Sequence, residues 1–124
     1  MARILLVDDE IVCTTWLAAA LGDDGHEVRC AASAQEAEVI AHELRPEILI
    51  TDWSLRGPIS GSELARRVRV MCPNLAVIVV TGFTAEEITD GEGPGPLRIL
   101  EKPIELTELR AAVADAGGMP PTPP

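Results

Sequence analysis

The sequence predicts an α/β fold: a (βα)5 arrangement in which five strands form a doubly wound parallel sheet within one domain. Three observations predict it. Short runs that are apolar on both faces alternate five times with amphipathic stretches of helical period. The connections between them are short and rich in glycine, proline and aspartate, which gives a parallel sheet covered on both faces. With 124 residues, 47% apolar and 24% charged, the chain has the size and composition of a single globular core.

The first strand is Ile4-Leu5-Leu6-Val7, apolar on both faces as a buried parallel strand is. About Ile11 to Leu21 reads as a helix with Ile11, Trp16, Leu17, Ala20 and Leu21 broadly on one side, and Gly22-Asp-Asp-Gly25 is expected to stop it. Glu27 to Ala31 is a weaker, outer strand. Ser33 and Glu36 form a capping box that opens a helix to about Leu44, and Pro46 prevents its continuation.

Ile48-Leu49-Ile50-Thr51 is the next buried strand and it ends on Asp52. A loop with Gly57, Pro58 and Gly61 leads into a helix from about Ser62 to Met71. Leu75 to Val80 is the most apolar strand and ends on Thr81-Gly82. Thr84 and Glu87 look like another capping box, but its helix is expected to be short or irregular, because Asp90-Gly-Glu-Gly-Pro-Gly-Pro96 cannot stay helical. Leu97 to Leu100 reads as the fifth strand and about Leu106 to Ala116 as the fifth helix. The domain is expected to span residues 1–116, with 117–124 a Pro-rich tail lacking a core.

Charge and composition narrow the function. The net charge of −10 argues against a nucleic-acid face and against an anionic-membrane anchor, and no apolar run approaches the length of a membrane span. Cys13, Cys30 and Cys72 are an odd number without a Cys-x-x-Cys pair, and the amino end lacks a signal-peptide pattern, so a cytoplasmic protein is expected. The cysteines read as small core residues, His26 and His42 as surface residues, and Arg66-Arg67-x-Arg69 as a solvated face.

The polar residues at the strand ends carry more information. Asp8 and Asp9 follow the first strand, Asp52 closes the third, Thr81 the fourth, and Lys102 the fifth. Taken singly, an acid after a strand is a helix cap, Thr81-Gly82 a turn and Lys102-Pro103 a loop. Taken together, all lie at carboxyl ends of strands, the edge at which open α/β sheets bind ligands. The chain has nine arginines and one lysine, and that lysine stands at this edge as a point charge for an anion. Carboxylates about 4 Å apart repel by about 4 kcal/mol at an effective dielectric near 20, so a cation or a proton is expected among them. An oxygen-only site with few carboxylates suits Mg2+ awaiting a phosphoryl group.

Val7-Asp8-Asp9-Glu10, Asp52-Trp-Ser-Leu, Thr81-Gly82 and Lys102-Pro103 resemble the receiver domain of bacterial two-component response regulators, the CheY-like family. The resemblance covers roughly residues 3–116. It implies a flavodoxin-like sheet in strand order 2-1-3-4-5, with two helices on one face and three on the other. By position, Asp52 resembles the phosphoacceptor. Asp8, Asp9, Asp52 and the Ser54 backbone carbonyl resemble the ligands of Mg2+ (or Mn2+). Thr81 and Lys102 resemble the pair that reads the acyl phosphate, with Gly82 leaving room beside it and a cis Pro103 expected. Ser54 and Phe83 stand where the family tunes hydrolysis, and Phe83 is expected to shield the acyl phosphate from water.

The implied chemistry is transfer from a phosphohistidine of a histidine kinase or a histidine phosphotransfer protein to Asp52, followed by slow autodephosphorylation. This is a phosphoacceptor rather than a conventional enzyme. Helix 1 is the surface that meets such partners in this family, so Trp16 reads as either core or docking anchor. Ile99 occupies the position of the family's switch aromatic, so ring rotation cannot operate there, and the Gly- and Pro-rich segment Asp90 to Pro96 before it reads either as one that phosphorylation orders or as a tolerated deletion. The favoured reading is a single-domain receiver, monomeric or weakly dimeric, that signals through an output protein or onward phosphotransfer. The alternatives are a receiver excised from a hybrid histidine kinase and a receiver-like binding module that does not use phosphate. A dehalogenase-like phosphatase fits poorly because Asp52-Trp-Ser54 lacks a second aspartate, and the acids after the first strand would repel a flavin phosphate.

Overall fold

A computed structural model of the chain describes residues 2–53, 55, 58–81, 98–102 and 104–116. Ser54, Gly57, Gly82, Phe83, Pro103, the expected helix after Thr84, the loop 90–96 and the tail 117–124 lie outside the described residues. The elements are β1 (Arg3–Val7), α1 (Ile11–Asp23), β2 (Glu27–Ala31), α2 (Ala34–Leu44), β3 (Ile48–Asp52), α3 (Gly61–Met71), β4 (Ala76–Thr81), β5 (Arg98–Glu101) and α4 (Leu106–Ala116). The strands form one parallel sheet in the order β2-β1-β3-β4-β5. This is the order that the resemblance implies.

Alternation along the strands builds the two halves of the core. Leu5, Val7, Leu49, Val77 and Val79 face α2 and α3. Ile4, Leu6, Ile48, Ile50, Ile78 and Val80 face α1 and α4, where Leu17, Leu21, Leu109 and Val113 meet them. Among the described residues each face of the sheet thus carries two helices. All five residues of β3 are buried, whereas β2 alternates between exposed and half-buried, as an outer strand does.

Local chemistry sets the helix ends. Ser33 Oγ accepts from the Glu36 backbone N–H at 3.1 Å, and Glu36 Oε1 accepts from the Ala32 N–H at 2.8 Å, so the expected capping box forms. A second side-chain cap was not read from the sequence: Ser60 caps α3 by accepting from the Glu63 N–H at 3.2 Å, so this helix starts at Gly61 rather than Ser62. Helix α1 runs through Gly22 to Asp23 and ends within the expected stop Gly22 to Gly25, with the turn on Gly25, whose φ of 97° suits glycine. Trp16 is 52% exposed while Leu17 and Leu21 are buried, which removes the core reading of this tryptophan. Cys30 and Cys72 pack at the core margins, half-buried rather than enclosed. Arg67 pairs with Glu63 at 3.2 Å and Glu38 at 3.3 Å on an exposed face. His42 is exposed, whereas His26 is half-buried and its Nδ1 accepts from the Ala2 N–H at 3.0 Å.

Candidate functional site

The strand order reverses between β1 and β3, and in open α/β sheets ligands bind beyond the carboxyl ends at such a point. Register brings the edge level: Val7 lies opposite Thr51, and Thr81 lies opposite Glu101. Asp8 continues β1 by donating its N–H to the Ala31 carbonyl at 3.1 Å. Its Oδ1 then accepts from the Glu10 N–H at 2.9 Å, which turns the chain into α1. Lys102 leaves β5 with its N–H on the Thr81 carbonyl at 2.7 Å. Its side chain is thereby delivered across the sheet to the acids.

The Lys102 ammonium sits 2.9 Å from Asp52 Oδ2, 3.4 Å from Asp8 Oδ2 and 3.8 Å from Glu10 Oε1. Asp8 and Asp52 are buried, with 5% and 9% exposure. Burial is the largest influence on Asp8 and pushes its carboxyl above the ordinary range. The Glu10 N–H and Lys102 pull it back, and the charge of Asp52 adds to the rise. For Lys102, burial disfavours the charged form, but the hydrogen bond to Asp52 and the charges of Asp52 and Asp8 outweigh it. The ammonium is therefore held more firmly than in water. Two buried carboxylates share one cation.

The structure brings together Asp8, Asp52 and Lys102. Asp9 is half-buried next to Asp8, and Thr81 is fully buried at the end of β4. Ile99 lies within β5 opposite Val79, packed against the α2–α3 half of the core. Ser54, Gly82, Phe83 and Pro103 lie outside the described residues.

Three contributors were not singled out from sequence. Glu10 reaches the lysine from the acidic run after β1. Thr51 Oγ1 donates to the Asp52 carbonyl at 2.9 Å. Gly61 packs directly against the Asp52 carbonyl oxygen and donates its N–H to the Trp53 carbonyl at 3.0 Å. The only sequence signal for Gly61 was the N-cap serine, Ser60, that places it at the first position of a helix.

Among the described residues, no group of three His, Cys, Asp or Glu side chains stands ready to hold a metal ion. The donors fit a divalent cation nevertheless. Mg2+ is satisfied by one or two carboxylates with water and phosphate oxygens, and Asp8 is a desolvated carboxylate whose burial favours a second neutralising charge. Among the described residues no helix is long and apolar enough to cross a membrane.

Residues 4–114 match the family model described as the response regulator receiver domain. Over 111 residues the chain is 34% identical to a response regulator receiver protein of Anaeromyxobacter sp. (strain Fw109-5); the match takes in 88% of this chain and 46% of that protein, so the chain spans about half of its length. It is 29% identical over 112 residues to sporulation initiation phosphotransferase F of Bacillus subtilis (strain 168), with 90% of each chain covered. The chemotaxis response regulator CheY4 of Vibrio cholerae has a similar structure, with a TM-score of 0.84, 28% identity, and coverage of 94% of this chain and 98% of that one.

Proposed function

The chain belongs to the response regulator receiver domain family of two-component signalling, and from that premise we propose that Asp52 accepts a phosphoryl group from a phosphohistidine. Receiver domains are generally Mg2+-dependent and interact with kinases or phosphotransfer proteins and with output domains. The observation that carries the proposal is the placement of Asp52: it is buried at the carboxyl end of β3, with the chain's one lysine 2.9 Å away and Asp8 on the same ammonium.

In the proposed step a carboxylate oxygen of Asp52 attacks phosphorus, the P–N bond to the donor imidazole breaks, and its electron pair returns to the ring. Asp8, Asp9, Asp52 and the Ser54 carbonyl would hold Mg2+ (or Mn2+). When bound, the cation supplies neutralising charge to the phosphoryl oxygens. The Lys102 ammonium exchanges Asp52 Oδ2 for a phosphoryl oxygen, and the Thr81 hydroxyl takes another. By the family resemblance, Gly82 would leave room for the group, and Ser54 and Phe83 would set how fast water removes it. Ile99, an aliphatic residue partly buried in β5, replaces the switch aromatic, so the signal does not travel through a rotating ring. The likeness to a phosphotransferase over 90% of both chains supports onward phosphotransfer as one output.

The test is intact-mass spectrometry after incubation with acetyl phosphate, with Mg2+ and with the metal chelated, beside an Asp52→Asn chain. One added phosphoryl group that requires both Mg2+ and Asp52 is the expected result. No addition under any condition overturns the proposal. Exposed Trp16 on α1 serves as the apolar anchor for the protein donor. A Trp16→Ala chain is expected to slow phosphotransfer from a phosphohistidine protein about tenfold, the loss of one modest anchor, and to leave the acetyl phosphate reaction unchanged. Equal slowing of both reactions would remove Trp16 from the docking surface.

A further inference from the structure

A cleft of about 430 Å3 lies at the other edge of the sheet, lined by Arg3 at the start of β1, by Arg45-Pro46-Glu47 ahead of β3, by Met71 to Leu75 between α3 and β4, and by Ala116. Pro46 and Leu75 are buried and Met71 and Cys72 half-buried, which gives it an apolar wall. Its charge is unlike that of the rest of the chain. The protein carries −10 overall, yet two guanidinium groups here face one carboxylate, Glu47, whose Oε2 is 4.0 Å from Arg3 Nη1.

Arg45 is the anomaly. Among the described residues it is the one non-glycine with positive φ, at 53° on the C-cap of α2. Glycine or asparagine takes that conformation with little strain, and an arginine does not. Its side chain gives no evident compensation inside the fold. Nη1 donates to the Met71 carbonyl at a long 3.3 Å, and among the described residues no carboxylate pairs with it. A guanidinium has five N–H donors, and this exposed one has a single side-chain hydrogen bond among the described residues. Arg3, by contrast, is engaged, with Nε on the Leu44 carbonyl at 3.1 Å and the Arg45 carbonyl at 2.9 Å.

We propose that this cleft is a docking site for a short acidic-apolar peptide segment of a partner protein, with a carboxylate on Arg45 and an apolar side chain against Met71 and Leu75. Charge complementarity selects the occupant: a planar donor fork pairs bidentately with a carboxylate, and a basic segment would meet two like charges. The cleft opens at the amino ends of the strands, whereas Asp8, Asp52 and Lys102 stand at their carboxyl ends. A partner held there leaves the phosphoacceptor edge open to a donor. The inference does not depend on the phosphotransfer reading.

Cys72 lines the cleft and reports its occupancy, and Cys30, on β2, serves as the internal control. The experiment follows alkylation of each cysteine in the full chain by peptide-resolved mass spectrometry, with acetyl-Glu-Leu-Leu-Glu-amide or acetyl-Lys-Leu-Leu-Lys-amide present. The acidic peptide is expected to slow alkylation of Cys72 about threefold at twice its Kd, with Cys30 unaffected and the basic peptide inert. Arg45→Gly keeps the backbone conformation, so it is expected to fold at least as stably while losing the protection. Equal protection by both peptides, none by either, or protection that survives Arg45→Gly overturns the proposal. So does a Cys72 that is unreactive before any peptide is added, which would assign the cleft to the chain's own residues.

Discussion

A single added methyl group in Gly61→Ala is expected to lower stability by about 2–4 kcal/mol, read as a fall in the urea midpoint at constant slope. Helix propensity predicts the opposite sign, a gain of about 1 kcal/mol, because Gly61 occupies a helical position. Packing decides the matter. A Cβ at this position falls on the carbonyl oxygen of Asp52 and 2.9 Å from Cα of Trp53, both backbone atoms that cannot swing aside. Relief requires α3 to move off the end of β3, which breaks the Gly61 N–H bond to the Trp53 carbonyl.

The consequence reaches the site, because the displaced backbone belongs to the proposed phosphoacceptor. Mg2+-dependent phosphorylation by acetyl phosphate is expected to fall at least about tenfold, in line with the cost of misplacing a reacting group. Gly22→Ala is the control: its Cβ meets nothing within 4 Å in α1, so it is expected to be neutral or stabilising. A Gly61→Ala chain as stable as the Gly22→Ala chain would rule out the close approach of α3 to Asp52.

Removing the Lys102 ammonium is the second large effect. Lys102→Ala leaves the buried carboxylates of Asp8 and Asp52 without their shared counter-charge. The expected loss is about 2 kcal/mol at pH 7, below the 3–5 of a fully enclosed pair because the lysine side chain is 27% exposed.

The pH dependence has a definite sign. Lys102 titrates above its ordinary value in the folded chain, so the lysine's own titration takes nothing from its contribution below that ordinary value, and any change at lower pH comes from the carboxylates. Asp8 also titrates above its ordinary value, mainly because of burial, so its ionised form costs stability, and the cost is relieved as pH falls through the folded value. Without Lys102 the Asp8 carboxyl rises further, and the deficit of the variant relative to the parent is expected to shrink between pH 7 and about pH 4. Millimolar Mg2+ is expected to restore part of it at pH 7. Thermal unfolding of both chains across that range is the measurement. A deficit that does not change with pH would reduce Lys102 to a packing role.

The fold was largely legible because four of the five strands announce themselves twice, as an apolar run and by the polar residue at their end. Ile48 to Thr51 followed by Asp52 is the clearest case, and the strand is buried along its whole length. The outer strand Glu27–Ala31 was readable only from its weaker, alternating pattern. Helix ends were less legible. Gly22 looks like a stop in the sequence but continues α1, because the turn that requires positive φ is made three residues later by Gly25.

The acids, Thr81 and Lys102 could be placed at one edge before any coordinates, since parallel strands all end on the same side. That much follows from residue order and elementary sheet geometry. The pairing of Lys102 with Asp52, fifty positions apart, needed the register of two strand pairs, β3 with β4 and β4 with β5. The close approach of Gly61 and the backbone conformation of Arg45 lay hidden. A glycine ahead of a helix reads as a loop residue, and an arginine after one reads as a surface charge, because neither a backbone approach to Asp52 nor a left-handed φ leaves a trace in periodicity. Trp16 could be either core or surface until the packing of Leu17 and Leu21 turned it outward. Patterns of polarity record which way each residue faces along its own element, and so they define the strands, the helices and the reactive edge. Contacts between elements depend on distances through space, and only the folded chain sets those.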